Sequence, residues 1–276
     1  MSGRFIVLMA TALSVTAALA PAPPSPRLAD EQTASAQEWT FANLIGGFCL
    51  EFLADTADAR RLLPNDAVPL RATTPGVKLH PALARVVKDQ PEYASWTPAE
   101  VCVYRFGAAT IAGTEIVARP GDGETIGWVG VAGRIAASQP EGSLVATQLF
   151  TGGTKAQKAS EAGRPELRKL KLSVGKAPKS NEDRVILEFG KTRLMWDGHA
   201  ASDSTAVAGP VVEHWARAIR GGAVIGRWEL NSVQQRSMVG AVIVEGKDRF
   251  AQALRKSPIR YVGPLYQGGN AKLSFE

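Results

Sequence analysis

The chain has 276 residues, with 32 Lys and Arg against 26 Asp and Glu for a formal net charge of +6. Hydrophobic residues at 45% and charged residues at 21% are the proportions of a globular protein, which excludes a disordered or fibrous chain, and the basicity is too slight for a protein that coats nucleic acid. Two cysteines exclude an iron–sulfur cluster and a four-thiolate zinc site, and no Cys-x-x-Cys-His is present for covalent haem attachment, so neither a cofactor nor a resident metal is expected.

Arg4 is followed by sixteen uncharged residues, Phe5–Ala20, which read as the charged and apolar regions of an export signal. Ala18-Leu19-Ala20 has the small-x-small form of a cleavage site, but Pro21 follows it and suits an extended peptidase groove poorly. Residues 1–20 therefore read as either a signal peptide or an uncleaved membrane anchor. Residues 21–37, with Pro21, Pro23, Pro24 and Pro26, read as an extended Pro-rich stalk. The expected location is outside the cytoplasm, on the periplasmic side of a bacterial inner membrane if the anchor persists, or free in the periplasm if it is cut.

Residues 38–276 form the expected globular domain, with a subdivision near 155–180. From Trp39 to Leu53 the apolar residues recur at three- and four-residue steps, so a helix is expected through about Arg61. A short helix follows from Pro81 to about Lys88. Strands are expected at Val101–Phe106, Thr114–Arg119, Thr125–Val131, Ser143–Thr151 and Leu167–Val174, with Gly/Pro turn clusters between several of them. Arg184–Phe189 and Thr192–Trp196 flank Gly190-Lys191 as a tight hairpin. Val211, Val212, Trp215, Ala218 and Ile219 fall on one helical face after Pro210, which predicts a second long helix. Strands at Ala223–Leu230, Ser237–Glu245, Arg260–Tyr266 and Ala271–Phe275 and a helix at Lys247–Lys256 complete the chain. The predicted class is α+β, dominated by antiparallel strands, with three to four helices and a preceding hydrophobic helix.

Cys49 and Cys102 are the only thiols, and in an oxidising compartment they are expected to be joined. The excess charge is local. Between Lys155 and Arg193 there are eleven basic and five acidic residues, and Lys155, Lys158, Arg164, Arg168, Lys169, Lys171, Lys176 and Lys179 form a basic patch that suits anionic headgroups or an acidic partner. Asp197, His199 and Asp203 gather two carboxylates and an imidazole in one small-residue segment, the best catalytic candidates if the chain is an enzyme. His80 and His214 read as structural.

No motif of established chemistry accompanies these residues, so the sequence favours a non-catalytic, membrane-tethered accessory subunit. Its expected partners are the bilayer and a larger integral-membrane complex, bioenergetic or transport in kind, and not nucleic acid. The alternatives are a periplasmic hydrolase using the Asp197–Asp203 segment, or a soluble periplasmic binding module for an acidic ligand.

Overall fold

The computed structural model describes residues 38–111, 113–117, 123–135, 139–153, 167–178, 180–219, 222–258 and 260–275. The expected hydrophobic helix of residues 1–20 and the stalk of residues 21–37 lie outside the described residues. No helix among the described residues is long and apolar enough to cross a membrane.

The strands in chain order are β1 (Glu38–Ala54), β2 (Val68–Pro69), β3 (Thr97–Ile111), β4 (Thr114–Val117), β5 (Glu124–Arg134), β6 (Leu144–Thr151), β7 (Arg168–Lys176), β8 (Asp183–Phe189) and β9 (Thr192–Ala200). They continue as β10 (Thr205–Ala206), β11 (Val211–Ile219), β12 (Gly222–Asn231), β13 (Gln234–Arg236), β14 (Met238–Gly246), β15 (Arg260–Val262), β16 (Leu265–Gln267) and β17 (Asn270–Phe275). Three short α-helices accompany them among the described residues: α1 (Thr56–Leu62), α2 (Pro81–Asp89) and α3 (Arg249–Lys256). Each begins on a side-chain cap. Asp55 accepts from the Asp58 N–H, His80 Nδ1 from the Ala82 N–H and Asp248 from the Ala251 N–H.

The predicted α+β class is corrected to a body that is mostly β. The largest change is at Trp39–Leu53, which is strand β1 and not a helix. Both faces of β1 are buried, one by Trp39, Phe41, Leu44 and Cys49 and the other by Phe48, Leu50, Phe52 and Ala54. An irregularity between Leu44 and Gly46 shifts the register. Two period-two apolar patterns superposed with a bulge between them imitate three- and four-residue steps. The helix predicted at Val211–Ile219 is strand β11 for the same reason, since the adjacent Trp215 and Ala216 are both buried.

Seven strands close on themselves. β1 pairs with β3, β3 with β5, β5 with β6, β6 in parallel with β11, β11 with β12, β12 with β17, and β17 returns to β1. The cycle is a barrel. Its interior holds Trp39, Phe41, Tyr104, Phe106, Trp128, Trp215, Trp228, Leu273 and Phe275. Trp228 is the hub, with ring centroids 5.1 Å from Tyr104, 5.4 Å from Trp128 and 5.5 Å from Phe41. Room for these rings comes from opposing glycines. Gly47 stands across from Tyr104, and a Cβ there would run into the ring and lie 2.9 Å from the Val103 carbonyl oxygen.

A second, four-stranded antiparallel sheet runs in the order β7, β8, β9, β14. It and α3 cover the outer barrel wall, where Phe48, Leu50, Phe52, Val101, Val103 and Val129 meet Leu170, Leu187, Phe189, Leu194 and Phe250. Helix α3 is fixed at its start by Asp248, which also accepts from Thr192 Oγ1 at 2.6 Å, and at its end by Lys256, whose Nζ reaches Asp58 Oδ2 on α1 at 2.8 Å.

Candidate active site at the barrel end

On β1 and β3 the antiparallel register places Gly47 opposite Tyr104, Cys49 opposite Cys102 and Glu51 opposite Glu100. Residues two apart in a strand share a face. All three pairs therefore face inward, and the two cysteines are joined in a disulfide below the two glutamates. Glu213 enters from the other side of the barrel, since it pairs with Trp228, and Trp228 with Leu273, on the inward face of β12 and β17. Carboxylate oxygens of Glu100 and Glu213 and the two sulfurs all lie within 4.8 Å of one another.

The glutamates sit where β1 finishes and β3, β6 and β11 begin. A cavity of about 240 Å³ opens above them, lined by Glu51, Glu100 and Glu213 together with Lys78, His80 and His214. Among the residues lining it, Lys78 is the one amine. His80 is held in place: its Nδ1 caps α2, and its ring stacks on Tyr261 with centroids 3.8 Å apart. Burial holds the His80 imidazole below its usual range, which keeps it neutral near pH 7.

The electrostatics follow from three carboxyls in one partly dry space. Burial pushes Glu51 up to about 7, opposed by a hydrogen bond from the His80 backbone N–H. Burial also raises Glu213 to about 7, with the Glu51 charge adding to it and Lys78 opposing it. Glu100 is driven well above the carboxyl range, by burial first and then by the charges of Glu213 and Glu51. Both causes favour its protonated form. Trp128 Nε1 donates to Glu100 Oε1 at 2.7 Å, which leaves the other oxygen to carry the proton. Glu213 Oε2 is buried and has no hydrogen-bond partner within the protein. Tyr266 is lifted to about 12 by burial and the same carboxylates, and Tyr104 is raised as well, so both phenols stay neutral.

The residues singled out in the sequence lie elsewhere. Asp197 is on β9 and forms a two-pronged pair with Arg184, with Nε to Oδ1 at 2.7 Å. His199 is exposed on the same strand, and Asp203 is exposed in the following loop, accepting from Ser202 Oγ at 3.2 Å. None of the three lines the cavity. Of the basic patch, Arg168, Lys169, Lys171 and Lys176 lie on β7, where Lys171 meets Glu188 at 3.2 Å and Lys176 meets Asp183 at 2.6 Å. Lys155, Lys158, Arg164 and Lys179 lie outside the described residues.

The sequence reading passed over Glu51, Glu100 and Glu213. A signal for them exists: each is a lone acid inside an apolar run, as in Cys49-Leu50-Glu51-Phe52-Leu53 and Val211-Val212-Glu213-His214-Trp215. In a strand buried on both faces such a residue has no route to solvent except at a barrel end.

No family model matches this chain, and no curated protein does. Solved structures match along most of its length at low identity. One is titled as the enduracididine biosynthesis enzyme MppR complexed with pyruvate, at 10% identity over 90% of this chain and 91% of that one, with a TM-score of 0.42. An acetoacetate decarboxylase-like enzyme from Sphingomonas wittichii RW1 matches at 11% over 87% and 90%, also at 0.42. A structure from studies of acetoacetate decarboxylase matches at 11% over 86% of each chain, at 0.43. Likeness this distant assigns neither a residue nor a reaction.

The expected non-catalytic, membrane-tethered accessory subunit is corrected. That expectation drew on the lack of any visible site, and the barrel end holds a cavity with three converging carboxyls of displaced acidity. The expected anchor, residues 1–20, lies outside the described residues.

Proposed function

We propose that the chain is an enzyme that moves a proton to and from carbon in a small carbonyl compound bound in the barrel-end cavity. The observation that carries this reading is the meeting of Glu51 and Glu213, both titrating near 7, at one cavity floored by a protonated Glu100. With each midpoint near 7, the pair holds about one proton at neutral pH. One member is then a base and the other an acid, which is the condition for accepting a proton at one atom and returning it at another.

Each residue has a distinct part. The ionised member of the pair takes the proton from the carbon beside the carbonyl. Glu100, fixed by Trp128, donates its proton in a hydrogen bond to the carbonyl oxygen, where negative charge develops as the C–H bond breaks. Lys78 offers an ammonium at the mouth for an anionic group on the substrate, which makes short oxo acids the favoured class. A cavity of about 240 Å³ suits a metabolite and not a polymer.

The test is proton exchange in D2O with a panel of short oxo acids such as 2-oxobutanoate, followed by NMR. The protein is expected to wash out the C–H signal beside the carbonyl, and Glu51→Gln and Glu213→Gln are each expected to slow this by roughly a hundredfold or more. An absence of exchange across the panel, or exchange unchanged in both variants, contradicts the reading.

A further inference from the structure

The four-stranded sheet ends on β14, and the bonding pattern of that strand fixes which of its backbone groups are engaged. The register with β9 runs unbroken from Met238 opposite Ala200 to Gly246 opposite Thr192, and Ser237, one step before it, accepts from the Ala201 N–H at 2.8 Å. In an antiparallel ladder the bonded pairs recur at every second residue. The odd-numbered residues therefore turn their N–H and C=O groups to β9, and Met238, Gly240, Val242 and Val244 turn theirs to the other edge. No strand among the described residues pairs with that edge. At its far end Arg255 Nη1 donates to the Gly246 carbonyl at 2.6 Å, so the open stretch is Met238–Val244.

An edge of this kind is ordinarily blunted by a charge, a proline or a bulge. Between Met238 and Val244 there is none of these. The outer face of the strand is apolar instead: Val239 is 74% exposed, Ile243 is 44% exposed, and Ala241 between them is exposed. Ile243 continues a row formed by Met195 on β9 and Ile186 on β8. What completes such an edge is another strand, and β14 fits its own copy. With two copies antiparallel about Ala241, Met238 meets Val244 and Gly240 meets Val242 as the bonded pairs, each occurring twice by symmetry. That supplies about eight backbone hydrogen bonds, within the usual range for a specific interface. In the same register Val239 of each copy lies directly across from Ile243 of the other on the outer face. The charged residues at the strand ends, Arg236, Glu245 and Lys247, fall opposite Gly246, Ser237 and Gln235, so no like charges meet although the chain carries a net +6.

We infer that β14 is the docking edge for a second copy of this chain, which joins two four-stranded sheets into one across a two-fold axis at Ala241. This inference does not depend on the proton-transfer reading.

The test is sedimentation velocity on the full chain at micromolar concentration, where a dimer of twice the 29.3 kDa chain mass is expected. Val239→Lys combined with Ile243→Lys sets ammonium groups opposite one another and is expected to weaken the dimer by about a hundredfold or more. Val239→Lys combined with Ile243→Glu pairs opposite charges in this register and is expected to restore it. Ala241→Cys, at the axis, is expected to form a disulfide with its own copy in air, seen as a dimer on a non-reducing gel. A monomer at every concentration, a dimer left intact by the paired lysines, no rescue by the opposite charges, or no cross-link through Ala241→Cys overturns the proposal. So does a monomer whose Met238, Gly240, Val242 and Val244 amides are protected from hydrogen exchange, which would place a different segment on this edge. Should the lysine variant fail to fold, the cross-link on the otherwise native chain still decides.

Discussion

Replacing Glu213 by Gln is expected to stabilise the protein at pH 8 while removing its activity. In the unfolded chain the carboxyl titrates near 4.5, and in the fold it titrates near 7. Below about pH 4.5 it is protonated in both states and the burial costs nothing. Between pH 4.5 and 7 the native state keeps a proton that the unfolded chain releases, so stability falls as pH rises, and above 7 the full penalty is in place. A displacement of this size corresponds to about 3 kcal/mol at 1.36 kcal/mol per pH unit. Gln keeps the shape and cannot ionise. Urea unfolding at pH 8 should therefore show Glu213→Gln more stable than the native chain by about that amount, with no difference near pH 4.5. Glu51→Gln should behave alike, and the double variant should fall short of the sum because the two sites share one cavity. A variant less stable than the native chain at pH 8 would mean that the Glu213 carboxylate is well solvated or paired, contrary to the geometry described above.

The second large effect concerns the disulfide. Cys49 and Cys102 are separated by 53 positions, and opening a loop of that length releases about 4 kcal/mol of chain entropy to the unfolded state. Reduction with a phosphine should lower the urea midpoint accordingly. Activity should fall as well, because the bridge fixes the register that sets Glu51 opposite Glu100, and a slip of one residue would turn every inward side chain of β1 outward. An unmoved midpoint after complete reduction would show that packing around Trp228 and Tyr104 holds the register alone.

The sequence carried the local signals more faithfully than the global ones. The hairpin around Gly190 was legible because Gly190, at φ +56, supplies the left-handed turn that two β-rich runs require. The strand at Val101–Phe106 was legible from its β-branched and aromatic residues. The short helix at Pro81 was legible from the proline at its start. The strands β1 and β11 were not, because burial on both faces erases the alternation by which a strand is recognised. Those two misreadings hid the site. Glu51 and Glu213 sit on the two strands taken for helices, and pairings between strands distant in sequence bring both to Glu100. Asp197 drew attention because acids cluster there in sequence, yet in the fold it is tied to Arg184 at the surface of the second sheet. Proximity in sequence marked a structural ion pair, and closure of the barrel assembled the cavity.

The central claim is that the barrel-end glutamates keep protons that ordinary carboxyls have lost by neutral pH. A titration of the chain labelled with 13C at the glutamate side-chain carboxyls, with Glu51→Gln, Glu100→Gln and Glu213→Gln to assign the signals, tests it most directly. Two carboxyls should titrate with midpoints near 7, and the Glu100 signal should remain that of the protonated acid at pH 7. Three signals that all titrate in the ordinary range near 4.5 would contradict the claim and the reaction built on it.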